Sequence, residues 1–413
     1  MPDNTLLDLG DIYVSDFLDD TDGLYDDRTQ EPLKLILDKS IGAPRLTQAV
    51  DSDKMYGKYW YRSGTNASMT NQLKEIVAEV CDRVKHEDGD LWLDIACNDG
   101  TMFRFIPDHF TKIGIDPCDD SYLEISSSVA DVVIQDYFSA SAFDQTGYGD
   151  KKCKVITTIA MFYDLDEPIP FIDDVYDILD DNGVWVVQLS YTPLMLKQMA
   201  FDNICHEHVY YYSLSSIKKL MEGRGFKVVD CSLNDTNGGS FRVYLQKKEA
   251  SELSFGTKPL RDVCNFRVES LLNYESTSAD SANPEAWNKF YEQLQRMKTQ
   301  TVEFVRAEVA KGKTVYGYGA STKGNTLLQY YGLDHNDIVA IAERSPVKFG
   351  LKTVGTHIPI VSEAEMRKAK PDYLLVLPWH FIKEFVERES KFLADGGKFI
   401  VPCPEFQIIG ESK

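Results

Sequence analysis

The chain has 413 residues, of which 43% are hydrophobic and 12% aromatic, the balance of a folded globular protein, at a length that predicts more than one core. A formal net charge of −21, with no run of Lys and Arg interleaved with aromatics to offset it, argues against nucleic-acid binding. No apolar run reaches the roughly 20 residues of a membrane span, Met1-Pro2-Asp3-Asn4 does not open a signal peptide, and none of the eight cysteines stands in a C-x-x-C spacing. Free thiols, a cytoplasmic location, no membrane partner and neither a zinc cluster nor a redox pair are therefore expected.

In chain order, residues 1–68 hold short apolar pieces, Leu33 to Leu37 among them, broken by turn residues, and predict a small irregular or β-rich lobe. From Met69 to Arg83 apolar residues recur at helical spacing, and Asp90-Leu91-Trp92-Leu93-Asp94-Ile95 then reads as a buried strand ending in a loop. Strand patterns at 111–116, 132–135, 155–159 and 184–189 alternate with helical ones such as Phe171 to Leu179, which argues for a parallel, doubly wound α/β domain over 69–250. Phe226 to Cys231 and Phe241 to Gln246, joined around Gly238-Gly239, predict an antiparallel hairpin at the sheet edge. Residues 251–311 are polar and helical, a connector in which Pro284 to Ala310 forms one helix with Asn283 as N-cap. Residues 312–413 carry four more strand patterns between helices, a second and smaller α/β unit.

Ligands of such sheets bind at the carboxyl ends of strands. The loop Asp94-Ile95-Ala96-Cys97-Asn98-Asp99-Gly100-Thr101 lies there, and Gly100 lets backbone approach a ligand. The next two strands end in Asp116 and Asp136, the second beside Tyr137 and Phe138, which are suited to flank a purine. An acid at a strand tip commonly accepts hydrogen bonds from ribose hydroxyls. With no G-x-G-x-x-G loop for a pyrophosphate, the pattern suggests an adenosine-containing cofactor of little negative charge. In the last unit, Tyr318-Gly319-Ala320-Ser321-Thr322-Lys323-Gly324-Asn325 resembles a phosphate cradle at a strand-to-helix junction, although the turn also reads as a tight connection with Gly for packing.

Phe201-Asp202-Asn203-Ile204-Cys205-His206-Glu207-His208 carries the densest reactive chemistry. A helix would send the two His to different faces, whereas a strand or extended loop would put both on one side. The H-E-x-x-H zinc spacing is missing and no third ligand is evident. A neutral imidazole beside a carboxylate suits a general base at neutral pH, and a hydrogen-bonded structural His is the plainer alternative.

Together DIACNDGT, IAMFYDLDEPIPF, WVVQLSY, FDNICHEHVYYYSL, NGGSFRVYL, YGYGASTKGNTLLQYYG, THIPIVSE and YLLVLPWHF, in this order, resemble the S-adenosylmethionine-dependent C-methyltransferases of nucleotide-activated 4-keto-deoxysugars. The resemblance implies two Rossmann-like domains, a central methyltransferase and a C-terminal one for the nucleotide-diphosphate part of the substrate, plus the N-terminal lobe. It implies that Asp94, Ala96, Asn98, Asp99, Gly100, Asp116, Asp136 and Tyr137 surround S-adenosylmethionine. His208, Glu207 and Tyr61 would act at the sugar, as base, its orienter or second proton acceptor, and donor to the enolate. Tyr59, His206, Tyr318, Ser321, Lys323, Asn325 and Glu343 are expected to bind substrate. The chemistry implied is methylation at C3 through an enolate, without a metal.

Four departures accompany the resemblance. The N-terminal lobe lacks the family's zinc-binding cysteines, Cys205 stands where Tyr is common, Asn237 precedes Gly-Gly-Ser where relatives can show His, and Ala96 replaces a Gly, tolerable if its φ is negative. The competing readings are an O- or N-methyltransferase on the same kind of sugar and a non-catalytic nucleotide-sugar-binding protein.

Overall fold

The computed structural model describes residues 4–19, 30–51, 61–65, 67–251 and 254–410. The chain opens with strands β1 (Thr5–Tyr13), β2 (Phe17–Leu18), β3 (Gln30–Asp38) and β4 (Ala43–Leu46). β1, β3 and β4 form an antiparallel sheet in which Leu35 stands opposite Leu46 and Leu7 opposite Leu35. Such a small sheet cannot bury its apolar face by itself. Leu33, Leu35 and Leu46 instead pack in one cluster with Val315, Leu327, Leu328 and Ile358 of the C-terminal unit. Polar ties reinforce the contact: Tyr13 N–H donates to Gln329 Oε1 at 2.9 Å, Gln329 Nε2 donates back to Tyr13 O at 3.1 Å, and Asn325 Nδ2 donates to Asp16 O at 3.1 Å.

After the helix Ala67–Arg83 come β5 (Leu91–Ile95), β6 (Thr111–Ile115), β7 (Val132–Ile134), β8 (Cys153–Ile159), β9 (Leu179–Ser190), β10 (Phe226–Asn234) and β11 (Ser240–Lys247). They form one sheet in the order β10-β11-β9-β8-β5-β6-β7. Pairs from β9 through β7 are parallel, while β11 runs antiparallel to both β9 and β10. Chain order reverses between β5 and β8, so the crevice of this sheet opens at their carboxyl ends.

The C-terminal unit contains β12 (Val315–Tyr318), β13 (Ile341–Glu343), β14 (Lys352–Thr353), β15 (Ile360–Ser362), β16 (Tyr373–Val376), β17 (Lys398–Val401) and β18 (Gln407–Ile409). Its sheet runs β15-β13-β12-β16-β17-β18, parallel except for the last pair, while β14 pairs with β2 from the N-terminal lobe. Here the order reverses between β12 and β16. The α/β class and its two Rossmann-like sheets stand as the sequence predicts.

The polar segment after residue 250 is divided between the two cores rather than set between them. Helix Lys258–Ser278 lies on the central sheet, where Arg267 donates to the buried Asp230 carboxylate at 2.6 and 2.9 Å. Helix Pro284–Ala310, capped by Asn283 as expected, drives Trp287, Phe290, Leu294 and Met297 into the cluster shared with the N-terminal strands. Among the described residues no helix is long and apolar enough to cross a membrane.

Candidate active site

Asp94 ends β5 on the floor of the central crevice, 5% exposed. Thr157 Oγ1 on β8 donates to its Oδ1 at 2.7 Å and itself accepts from Trp92 Nε1 at 3.2 Å. Burial, opposed by Thr157 and aided by the neighbouring Asp116, pushes the Asp94 carboxyl up to about 7. The chain then turns through two left-handed residues, Ala96 at φ 60° and Asn98 at φ 53°. This corrects the expectation at Ala96: the backbone there takes the conformation that favours glycine, at a cost of about 1–2 kcal/mol for a residue with a Cβ. Gly100, at φ 70°, has no such latitude, because a Cβ there would meet Ser126 Cα at 2.8 Å.

The remaining polar residues of the loop build its walls. Asp116 accepts from the backbone N–H of Asn98 at 2.7 Å and of Cys118 at 2.8 Å. Asn98 takes the N–H of Ser63 at 3.0 Å and donates to Tyr61 O at 3.0 Å, fixing Tyr61 at the cavity. Asp99 accepts from Gly64 N–H at 2.8 Å and Thr101 Oγ1 at 2.6 Å. The cavity these residues frame has a volume of about 260 Å³, and Tyr61, Asp94, Ala96, Asn98, Asp116 and Tyr137 line it together with apolar side chains such as Phe138 and Phe171. Asp99 and Gly100 are not among its lining residues and shape the loop behind it; Asp136 is exposed and also absent from the lining. Two buried acids beside apolar and aromatic walls fit a cationic sulfonium bearing a purine nucleoside. Tyr59 lies outside the described residues.

The Cys205–His208 segment is a tight turn, His208 N–H donating to Cys205 O at 3.2 Å, so the two imidazoles part company. His206 Nε2 meets the carbonyl of Glu31 at 3.1 Å. A carbonyl only accepts, so this nitrogen carries a proton and His206 ties the turn to the N-terminal sheet. His208, 5% exposed, has Nδ1 at 2.7 Å from the carbonyl of Asn203. By the same logic Nδ1 is protonated and the Nε2 lone pair is free. Burial and then the Lys323 ammonium push this imidazole down to about 3. The Asn203 carbonyl thus orients His208, one of the two parts, orienter or second proton acceptor, that were expected of Glu207. Glu207 is raised by burial and drawn back by Lys323 and by a hydrogen bond from Thr322.

One atom each of Cys205, Glu207 and His208 lie within 4.8 Å of one another, and the Lys323 ammonium bears on all three. The turn is clamped from two sides. Val209 and Tyr210 N–H groups donate to Tyr163 O at 2.9 Å each, and Tyr211 N–H donates to Pro44 O on β4 at 2.9 Å. The Tyr163 ring lies over His208 with centroids 4.3 Å apart, and its phenol senses Asp164, Cys205, Glu207 and Tyr61. Asp164 and Tyr61 also line the cavity, so the His208 cluster adjoins it. Of the three consecutive tyrosines, Tyr210 bonds Arg45 and Asp38, whereas the buried Tyr211 phenol stands near Cys205.

The strand-to-helix turn after β12 spends part of its hydrogen bonding within the protein. Ser321 caps helix Thr322–Tyr331 by accepting from Gly324 N–H at 3.0 Å, and Glu343 accepts from Ala320 N–H at 2.8 Å, so two of the turn's N–H donors are engaged within the protein. Lys323 reaches away from the turn and donates to Asn203 Oδ1. Tyr318 is buried against Glu363 and Glu389, and Asn325 points to Asp16 O. Trp379, after β16, donates from Nε1 to Asp202 Oδ1 at 3.0 Å. The carboxyl ends of both sheets therefore converge on residues 202–208.

Comparison with known proteins follows this division. Residues 66–230 match the methyltransferase domain family, and residues 235–404 match the C-methyltransferase C-terminal domain family. The C-methyltransferase NovU of Streptomyces niveus is 29% identical over 379 residues, 92% of this chain and 87% of that protein. In both of its α/β units the chain is thus similar to known methyltransferases, and over most of its length to a C-methyltransferase. It is an S-adenosylmethionine-dependent methyltransferase. Solved structures similar to this methyltransferase include the plantazolicin methyltransferase BpumL in complex with a pentazolic desmethylPZN analogue and SAH (13% identity, TM-score 0.33, 43% of this chain and 83% of that one). A methyltransferase in complex with the Haloferax volcanii Trm112 activator is 12% identical, with TM-score 0.34, over 44% of this chain and 94% of that one.

In this methyltransferase, the sequence pattern did not point to Thr157, Tyr163, Asp202, Asn203 and Trp379. A signal existed for Tyr163 and Trp379, since each follows the carboxyl end of a strand beside a reversal of strand order. None existed for Asn203, whose backbone carbonyl does the orienting.

Proposed function

We propose that the protein transfers a methyl group to C3 of a nucleotide-linked 4-keto-deoxysugar. The observation that carries this reading is the His208 imidazole, buried, neutral, held in one tautomer by Asn203 and adjoining the cavity through Tyr163 and Asp164. A C–H next to a ketone is acidic because the carbanion delocalises onto oxygen. His208 Nε2 takes the C3 proton, and the electron pair of that bond passes to the carbonyl oxygen as an enolate. Tyr61 donates a hydrogen bond to that oxygen, and Glu207 supports the imidazolium that forms. S-adenosylmethionine, held by Asp94, Asn98 and Asp116 with Tyr137 and Phe138 at its purine, supplies the electrophilic methyl. The convergence of the second sheet on the same loop supports a substrate held from the C-terminal unit, the nucleotide part of a nucleotide sugar.

The test is incubation of a panel of nucleotide 4-keto sugars with the protein and S-adenosylmethionine, with mass spectrometry for the methyl gain and NMR for its position. In D2O without the methyl donor, wild type should exchange the C3 proton of the accepted sugar, and His208→Gln should bind S-adenosylmethionine yet fail to exchange it. Exchange at the wild-type rate in that variant places the base elsewhere.

A further inference from the structure

We infer that Lys323, carried on the first turn of helix Thr322–Tyr331, is a positioning residue that holds the Glu207–His208 pair in its proton-accepting state. The inference rests on the reading of that pair as the acid/base machinery.

Asn203 is the hinge of the geometry. Its side-chain oxygen accepts from Lys323 Nζ, and its backbone oxygen accepts from His208 Nδ1–H at 2.7 Å. One residue of the central domain thereby couples an ammonium from the C-terminal sheet to the tautomer of the base. The groups that face the pair are the Cys205 thiol in the same turn, the Tyr163 phenol from the segment after β8, and Thr322 with Lys323 from the C-terminal helix. Lys323 is faced in turn by Asp202 in the loop and His380 after β16. Among the described residues, Lys323 is the cation whose charge is felt by Cys205, Glu207 and His208 together.

A positive charge at that place acts on both partners in the same functional direction. It disfavours imidazolium at His208 and favours carboxylate at Glu207, so it opposes a resting proton on either group. Burial alone would not do this, because burial lowers His208 but raises Glu207, leaving the carboxyl prone to keep a proton. The ammonium opposes that tendency, although burial remains the larger effect on Glu207. Nothing in the step needs a further reactant: the proton taken from substrate passes to His208, and Lys323 keeps its own charge throughout.

Lys323→Met keeps the length and removes the charge, whereas Lys323→Arg keeps the charge. With 13Cε1-labelled histidine, the His208 signal of the ligand-free protein is identified by its loss in His208→Gln and followed against pH. In Lys323→Met the His208 titration should move up by about one pH unit or more, and Lys323→Arg should restore the wild-type behaviour. The acid limb of C3 exchange should move up in parallel in Lys323→Met, with S-adenosylmethionine affinity unchanged. An unmoved titration and an unmoved acid limb in folded Lys323→Met, with only a raised KM for the sugar, would make Lys323 a substrate contact and overturn the inference. If Lys323→Met does not fold, Asn203→Ala frees the ammonium while leaving the backbone carbonyl on His208. A smaller upward shift is then expected, and none overturns it. Because the NMR titration needs no substrate, a shifted His208 in a protein that exchanges no C3 proton would refute the proposed reaction while leaving the role of Lys323 standing.

Discussion

Thr157 Oγ1, on β8, donates a 2.7 Å hydrogen bond to Asp94 Oδ1 at the tip of β5, across the point where strand order reverses. The acid so held is pushed up to about 7, mainly by burial. A bound cation favours the ionised carboxylate, so S-adenosylmethionine binding should release a proton and tighten as pH rises through about 7, levelling above it. Calorimetry in two buffers of different ionisation enthalpy reads the proton directly. Asp94→Asn should abolish the buffer dependence, and equal heats in both buffers for the wild type would refute the linkage.

Ala96 at φ 60° stores strain that a glycine would relieve. The relief of about 1–2 kcal/mol is offset by about 0.4–1 kcal/mol of extra unfolded-chain entropy. Ala96→Gly should therefore raise unfolding stability by up to about 1.5 kcal/mol, seen as a higher urea midpoint with an unchanged slope. A lower midpoint would show that the methyl group makes contacts worth more than the strain.

His208 links stability to pH. Its folded value is about 3 against about 6.5 in the unfolded chain, so below about 6.5 the unfolded state binds a proton that the folded state refuses. The stability this group contributes is complete above that value and falls as pH drops toward the folded one, by about 1.4 kcal/mol per unit. Between pH 7 and 5, wild type should lose about 2 kcal/mol more than His208→Gln. Equal losses would mean that His208 is protonated in the folded protein.

Leu35, on β3, is fully buried in the cluster that also contains Leu327 and Ile358. Leu35→Ala should cost about 2–5 kcal/mol. The loss should appear in a single transition that exposes Trp287 and destabilises the C-terminal sheet with the N-terminal one. Two separate transitions, with the C-terminal one unchanged, would show that the lobes fold independently.

Period-two and helical apolar patterns make the two α/β sheets readable in the sequence, and the strand-end rule points to Asp94 and Asp116, both of which line the cavity. Side-chain destinations across space were not readable. Lys323 sits in a glycine-rich turn and looks like an anion ligand, yet its long stem reaches a loop from another domain. His206 and His208, two residues apart, share a motif but not a direction, because a hydrogen-bonded turn separates them. The sign of φ at Ala96 depended on how the loop closes over Asp116, which composition does not encode. The apolar face of the N-terminal strands announced that something must cover it; only the tertiary structure shows that Val315, Leu327 and Ile358 do.

That covering has a kinetic meaning. During synthesis β1 and β3 leave the ribosome long before the residues that bury them exist. Closing so long a loop adds little to the equilibrium cost, but contacts of such separation form late. Until the residues around Val315 to Ile358 are made, these strands keep much of that apolar face uncovered, and such exposed surface is what chaperones hold.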